Sequence, residues 1–464
     1  MATAGPDRWG APVQVADGSP HPDVNLFGDA VDDLVTLSGN PVERARQAGA
    51  DGRLVLARVL SAYLALYSTS RTGAREATAI LEDLDGVDGE TGERELLHLR
   101  AARAWAGGEW ERAALALERA LLHNPRDLLA LKVAQDLYFF LGNRLDLRDV
   151  VARALPAWAP GSLGWGYVQG MYAFGLEENA QYAEAEQRGR TALAEDARDV
   201  WAVHALAHVH EMRGEQEAGI EFLVRTTDNW KDSYFAVHNW WHRALYHLDL
   251  GQIDDVLALY DGPIRSAHSL EWLDLVDAAA LLWRLALFGV DVHARARQLS
   301  KDLAPLIDQP WYVFNDWHAA MAFGLAGDPG VGEALIAANR AHASGTNRRA
   351  VDGAGLDLLR GFVAFARGDA SAAIDQLIDV RSRAHVIGGS HAQRDVIDLT
   401  LLAAAARAGE SALVTALTAE RHARKPSAAS AVQRLVAANK AGSPTSRRHE
   451  PPSVAAAVGS DARS

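Results

Sequence analysis

The chain has 464 residues, of which 49% are hydrophobic and 23% charged, with a net charge of −14 and no cysteine. Without cysteine there are no disulfides, thiolate metal ligands or cysteine nucleophiles, and the acidic balance disfavours nucleic acid and anionic membranes, whose binding rests on Lys and Arg. Ala, Leu, Arg, Glu and Asp dominate while β-branched runs are scarce, a composition that points to a mainly helical protein.

Residues 1–25 hold several Pro, Gly and Asp with little periodicity, and are expected to form an irregular arm. They lack the basic-then-apolar order of a cleaved signal. No apolar run along the chain reaches the roughly 18 residues of a membrane span, and the expected location is the cytoplasm. From about Pro22 the pattern turns helical. In AWAGGEWERAALALERALLHNPRD the small and aromatic residues fall at fixed offsets: Gly108, Trp110, Ala113, Leu117, Ala120 and Pro125. This matches the second half of a tetratricopeptide repeat, in which Gly makes the turn between two antiparallel helices and Pro ends the second.

The same turn recurs at Gly142, Ala180, Gly214, Gly251, Gly289, Gly327, Gly368 and Gly409, at gaps of 34, 38, 34, 37, 38, 38, 41 and 41 residues. The repeat predicts an all-α, tetratricopeptide-like α-solenoid of about nine helix-turn-helix units over residues 26–424, whose stacked first helices line a concave groove. Residues 425–464 are rich in Ala, Ser and Pro, and are expected to form a low-complexity, disordered tail. In tetratricopeptide repeats the concave face is lined 13, 10, 6 and 3 positions before the hinge. That offset selects Trp201, His204, His208 and Glu211 before Gly214, and His238, Trp241, Leu245 and Leu248 before Gly251. Around Ala180 it selects Tyr167, Gly170, Phe174 and Glu177.

Six of the chain's 17 histidines fall between Trp201 and Asp249. His204 with His208 and His238 with His242 are four apart, and so stack on one helix face. Adding Glu211 gives a His-x-x-x-His-x-x-Glu stripe, a donor set suited to Zn²⁺ or Fe²⁺. The same histidines would equally serve as hydrogen-bonding groups between stacked helices. The stripe is not the His-Glu-x-x-His of zincin proteases, so that mechanism is not implied. His210 and His247 point elsewhere and are expected to be structural.

Several segments resemble the tetratricopeptide repeat protein 38 family: WGYVQGMYAFGLEE at 165–178, WAVHALAHVHEM at 201–212, HNWWHRALYHLDLG at 238–251, FNDWHAAMAF at 314–323 and GGSHAQRDVIDLTLLAA at 388–404. The resemblance spans about Asp7 to Ala423 and implies the α-solenoid fold, without a mechanism. These segments are polar where a bare scaffold is apolar, which makes them either a satisfied buried network or a site.

Candidate acid–base groups are His238, His242 and His318, with Asp316 as an orienting carboxylate or an ordinary helix cap. Candidate ligand contacts are Tyr167, Trp201, Asn239 and Trp241, or else these aromatics are repeat packing. The run Gly388-Gly389-Ser390-His391-Ala392-Gln393-Arg394-Asp395 offers free backbone N–H groups and an Arg394 clamp for an anion, with His391 and Gln393 alongside, or simply a capped helix tied by an ion pair. The leading expectation is a protein that binds a protein, peptide or small-molecule ligand in a His/Trp-rich groove. The alternative is an enzyme using the same groove, with a His/Glu-bound metal (zinc or iron) or a His acid–base pair acting on a small substrate, anionic or neutral.

Overall fold

Every one of the nine expected hinges has a left-handed backbone: φ is 82° at Gly108, 65° at Gly142, 73° at Gly214 and between 78° and 84° at the five later glycines. Ala180 does the same at φ 60° although it carries a Cβ, a conformation that costs an L-residue about 1–2 kcal/mol. The structure, a computed structural model, describes residues 4–14, 23–84, 91–307 and 310–441. Around each hinge two antiparallel helices pack as a hairpin. Examples are Trp165–Glu178 with Tyr182–Glu195, Val200–Arg213 with Gln216–Trp230, and Ala236–Leu250 with Ile253–Leu259.

Two further hairpins precede the first expected one. Asp23–Thr36 pairs with Pro41–Ala48, and Val55–Leu66 pairs with Arg71–Glu82 through Thr69 at φ 48°. The second of these has no glycine at its hinge, so its place in the repeat was invisible to a search for glycines. Among the described residues the helices fill the fold apart from one short antiparallel pair, Ala4–Pro6 with Pro12–Val13.

Burial separates the two helices of each hairpin. Fourteen of the sixteen residues of Trp272–Leu287 are buried, but only three of the fourteen in Tyr182–Glu195 are. First helices thus form an inner layer and second helices an outer one, as stacking on a concave face requires. The winding is tight enough that distant repeats meet across the axis. The Tyr312 hydroxyl donates to the Phe140 carbonyl at 3.1 Å, Arg71 donates to the Pro310 carbonyl at 2.9 Å, and Trp283 Nε1 donates to Thr400 at 2.9 Å. The inner face in this region is consequently filled by the chain's own side chains.

Both ends depart from expectation. The arm is not irregular throughout: its hairpin buries Trp9 and Val13, and Asp7 forms a buried ion pair with Arg94 (2.9 Å), which also binds Asp127. At the other end the helical domain continues past residue 424 with the helix Ala429–Ala441. Val432 and Leu435 are buried there, and Asn439 Nδ2 donates to the Leu287 carbonyl at 2.8 Å. The i, i+3 apolar spacing of Val432 and Leu435 outweighs the Ala/Ser/Pro composition of the region. The remainder of the expected arm and tail, residues 1–3, 15–22 and 442–464, lies outside the described residues. No described helix is long and apolar enough to cross a membrane.

Candidate metal centre

Asp199 caps the Val200–Arg213 helix by accepting from the Ala202 N–H at 2.9 Å, which fixes the helix's start and so the direction of His204 and His208. The Ala236–Leu250 helix, one hairpin on, points His238 and His242 at the same space. The ring centroids are 4.4 Å apart for His204–His208, 4.9 Å for His204–His238, 5.2 Å for His204–His242, 4.5 Å for His208–His242 and 4.8 Å for His238–His242. One nitrogen from each of the four rings lies within 4.8 Å of the others. Four imidazoles bound tetrahedrally at about 2.0–2.1 Å hold their ring centroids about 5 Å apart, close to these five spacings.

The rings are sealed from solvent, with His208 and His242 0% exposed. Both ring nitrogens of His204, both of His208 and Nε2 of His242 have no hydrogen-bond partner. An unpaired buried polar atom costs about 1–3 kcal/mol, and a cation bonded to the one lone-pair nitrogen of each neutral ring would remove part of that cost. Burial pushes His204 well below the usual imidazole range, and the neighbouring His208, His238 and His242 push it further. His242 is lowered by burial and then by His208 and His238. Both are therefore neutral, the form that ligates a metal.

Three of the four rings have a carboxylate behind them. Asp277 Oδ2 lies 2.7 Å from His238 Nδ1, and Glu211 Oε2 lies 3.1 Å from His242 Nδ1. Glu177 Oε2 is 3.2 Å from His208 Nδ1, within ion-pair reach but too bent for a hydrogen bond. A carboxylate on Nδ1–H fixes the tautomer and leaves Nε2 free as a ligand, the arrangement found behind metal-bound histidines. His204 has aromatic neighbours in place of a carboxylate: Phe174 at 5.1 Å, Trp201 at 5.0 Å and Phe235 at 5.1 Å between centroids.

Glu177 links this centre to a second group. His391 Nε2 is 2.9 Å from Glu177 Oε1, and the His391 N–H donates to Glu178 at 3.1 Å. Burial alone would raise Glu177, but His391 and His208 bring it down to about 2. Burial would likewise lower His391, yet Glu178 and Glu177 lift it to about 9. Glu177, Glu178, His208 and His391 also bring ligand atoms within 4.8 Å of one another. Their atoms mostly satisfy one another as ion pairs, so this group acts first as support for His208.

Several expected roles change. Glu211 is not in the converging set; it orients His242, because its side chain ends one turn beyond His208 and meets the next helix first. His238 and His242, the acid–base candidates, converge with His204 and His208. Trp241 stacks on His238 at 5.2 Å and 17°, and Arg284 covers the Trp241 ring at 5.4 Å. Asn239 is fully buried with both amide atoms unpaired. Tyr167 has Asp32, Asp196 and Asp199 as its acidic neighbours, not the imidazoles.

Asp316 is neither a cap nor a partner of His318. It lies inside the Val313–Leu325 helix and accepts from Asn339 Nδ2 at 2.9 Å, while His318 Nδ1 is 2.8 Å from the Phe314 carbonyl. Burial raises Asp316 to about 7 and lowers His318 to about 3.

The Gly-Gly-Ser run is a helix start already occupied by the chain's own groups. Ser390 and Gln393 form a capping box, which commits Gln393. Arg394 donates to the carbonyls of Gly388 and Gly389 and lies 3.8 Å from Glu178. Asp395 pairs bidentately with Arg421 at 2.6 and 2.8 Å. Gly388 is required by space: at φ 88°, a Cβ there would sit 2.0 Å from the Tyr312 hydroxyl and 2.3 Å from the Phe140 carbonyl.

Sequence reasoning missed Asp277, Phe235 and Arg284. Asp277 stands 12 residues before Gly289, one position off the groove offset, as His242 is off it by one before Gly251. Glu177 did fall on the offset, but nothing in the sequence paired it with His208 or His391.

No family model matches the chain. Among solved structures it is similar to a Rap protein complexed with competence and sporulation factor, at 11% identity and a TM-score of 0.44 over 76% of this chain and 99% of that one. It is also similar to a tetratricopeptide repeat protein from Parabacteroides merdae, at 13% identity and a TM-score of 0.33 over 67% of this chain and 99% of that one. A third is the human IFIT1 dimer with PPP-AAAA, at 14% identity and a TM-score of 0.34 over 78% of this chain and 94% of that one.

Proposed function

We propose that this helical-repeat protein is a metalloprotein holding one divalent transition-metal ion, zinc or iron, on His204, His208, His238 and His242. One observation carries the reading: four buried imidazoles converge, and five of their eight ring nitrogens (both of His204, both of His208 and Nε2 of His242) are unpaired. A purely structural histidine network would spend those nitrogens on hydrogen bonds to neighbours. The all-nitrogen donor set suits zinc or iron and is a poor one for magnesium or calcium, which take oxygen.

The sealed inner face favours an ion, not a peptide, as the ligand of this stretch. A protein or peptide partner of the repeats would be met elsewhere on their surface. The metal reading is the enzyme alternative raised from the sequence, with its ligands reassigned. A bound ion would supply Lewis acidity. Asp277 and Glu211 would hold their imidazoles in the ligating tautomer and Glu177 would place a negative charge behind His208, while Trp241 and Phe174 would exclude water. The similarity of residues 165–178, 201–212, 238–251, 314–323 and 388–404 to the tetratricopeptide repeat protein 38 family supports placing the chain there.

The test is metal analysis of protein purified without a polyhistidine tag, before and after stripping and reloading with zinc or iron(II). One ion per chain is expected, together with a metal-dependent rise in melting temperature. A saturating ligand at 100 times its dissociation constant adds about 2.7 kcal/mol. His208→Ala/His242→Ala should lose both, with its helical circular dichroism intact. A wild-type chain that takes up no ion on reloading refutes the proposal.

A further inference from the structure

The four histidines are not equivalent, and the difference lies in what stands behind each ring. His208, His238 and His242 each have a carboxylate within 3.2 Å of Nδ1. His204 has no such carboxylate; although His208 also lacks hydrogen bonds on both nitrogens, the His204 ring alone is surrounded by aromatic rings and the other imidazoles. A carboxylate behind an imidazole strengthens it as a donor and holds its orientation. The ring without one is the weaker ligand.

We infer that His208, His238 and His242 form the fixed part of the metal centre and that the His204 position is an exchangeable one, open to a small oxygen- or nitrogen-donor anion such as hydroxide or azide. This rests on the metal reading above and assigns one corner of that site.

The surroundings of His204 fit such a ligand. Trp201 packs against His204, and its buried Nε1–H has no acceptor, leaving a donor for an incoming lone pair. Lys132 Nζ lies 4.3 Å from the centroid of the Trp201 ring and 2.7 Å from Asp136, which places a cation beside the same wall. Three fixed imidazoles with one replaceable position is the coordination pattern of catalytic zinc, whereas four equally held ligands mark a structural site.

The experiment uses the full chain stripped with chelator and reloaded with Co²⁺, whose visible bands report coordination. Wild type is compared with His204→Ala, the bulkier His204→Gln, and single Ala variants of His208, His238 and His242. His204→Ala and His204→Gln should each keep one Co²⁺ with affinity within about tenfold of wild type. The other three variants should lose more than the 10–100-fold that removal of an outer partner costs. Azide should shift the spectrum of His204→Ala at a concentration at least about tenfold lower than it needs in wild type. If both His204 variants lose Co²⁺ as completely as the other three, or if azide leaves the His204→Ala spectrum unchanged, the assignment is wrong while the metal site stands. A wild-type chain that takes up no Co²⁺ overturns both.

Discussion

Replacing Asp277 by Asn separates a metal-supporting carboxylate from a merely structural ion pair. Asp277 is 1% exposed; its Oδ2 lies 2.7 Å from His238 Nδ1, and its Oδ1 has no partner. Asn keeps the shape, and its amide oxygen can still accept the Nδ1–H bond, so the His238 tautomer survives. What disappears is the negative charge that strengthens Nε2 as a donor. Loss of such an outer partner lowers metal affinity about 10–100-fold, or about 1.4–2.7 kcal/mol. In the metal-free protein His238 and Asp277 would matter only as a buried pair, whose disruption costs about 3–5 kcal/mol if both members are charged. The expected result is therefore asymmetric. Competition against a chromophoric chelator should show the drop in affinity, while urea melts of the stripped protein should move by less than about 1 kcal/mol. Unchanged metal affinity combined with a stripped protein destabilised by 3 kcal/mol or more would refute the reasoning and make the pair structural.

Two further outcomes test the frame that carries the centre. Asp316 is raised to about 7 by burial, so between its unfolded pKa near 4 and about 7 the folded chain holds a proton that the unfolded chain has released. Stability then falls as pH rises through that window, by at most about 4 kcal/mol for a three-unit shift. Asp316→Asn should flatten this slope in urea melts at pH 4–8 and gain stability at pH 7.5; an unaltered slope would count against it. Gly388→Ala should cost about 3–5 kcal/mol, because a Cβ there meets the Phe140 carbonyl at 2.3 Å on top of a positive φ, and a melting temperature within 2 °C of wild type would show that the contact relaxes.

Much of the fold was legible in the sequence because a hinge is a local demand. A left-handed turn wants glycine, and eight of the nine expected hinges have one. Ala180 could be read only from the small and aromatic residues following it, and Thr69 not at all. The stripe of His204 and His208 was legible for the same reason, since a spacing of four places two rings on one face whatever surrounds the helix. The Ala429–Ala441 helix was lost because composition was weighed above the spacing of Val432 and Leu435.

What tertiary structure alone decided is which faces meet. The tight winding brings His391 to Glu177, 214 residues away, and fills the inner face with side chains, where the sequence suggested an open groove. It also set Glu211 behind His242 instead of beside His208. Periodicity reports a side chain's direction relative to its own helix axis. The radius of a superhelix comes from small rotations accumulated from repeat to repeat, and no single repeat's sequence records that sum.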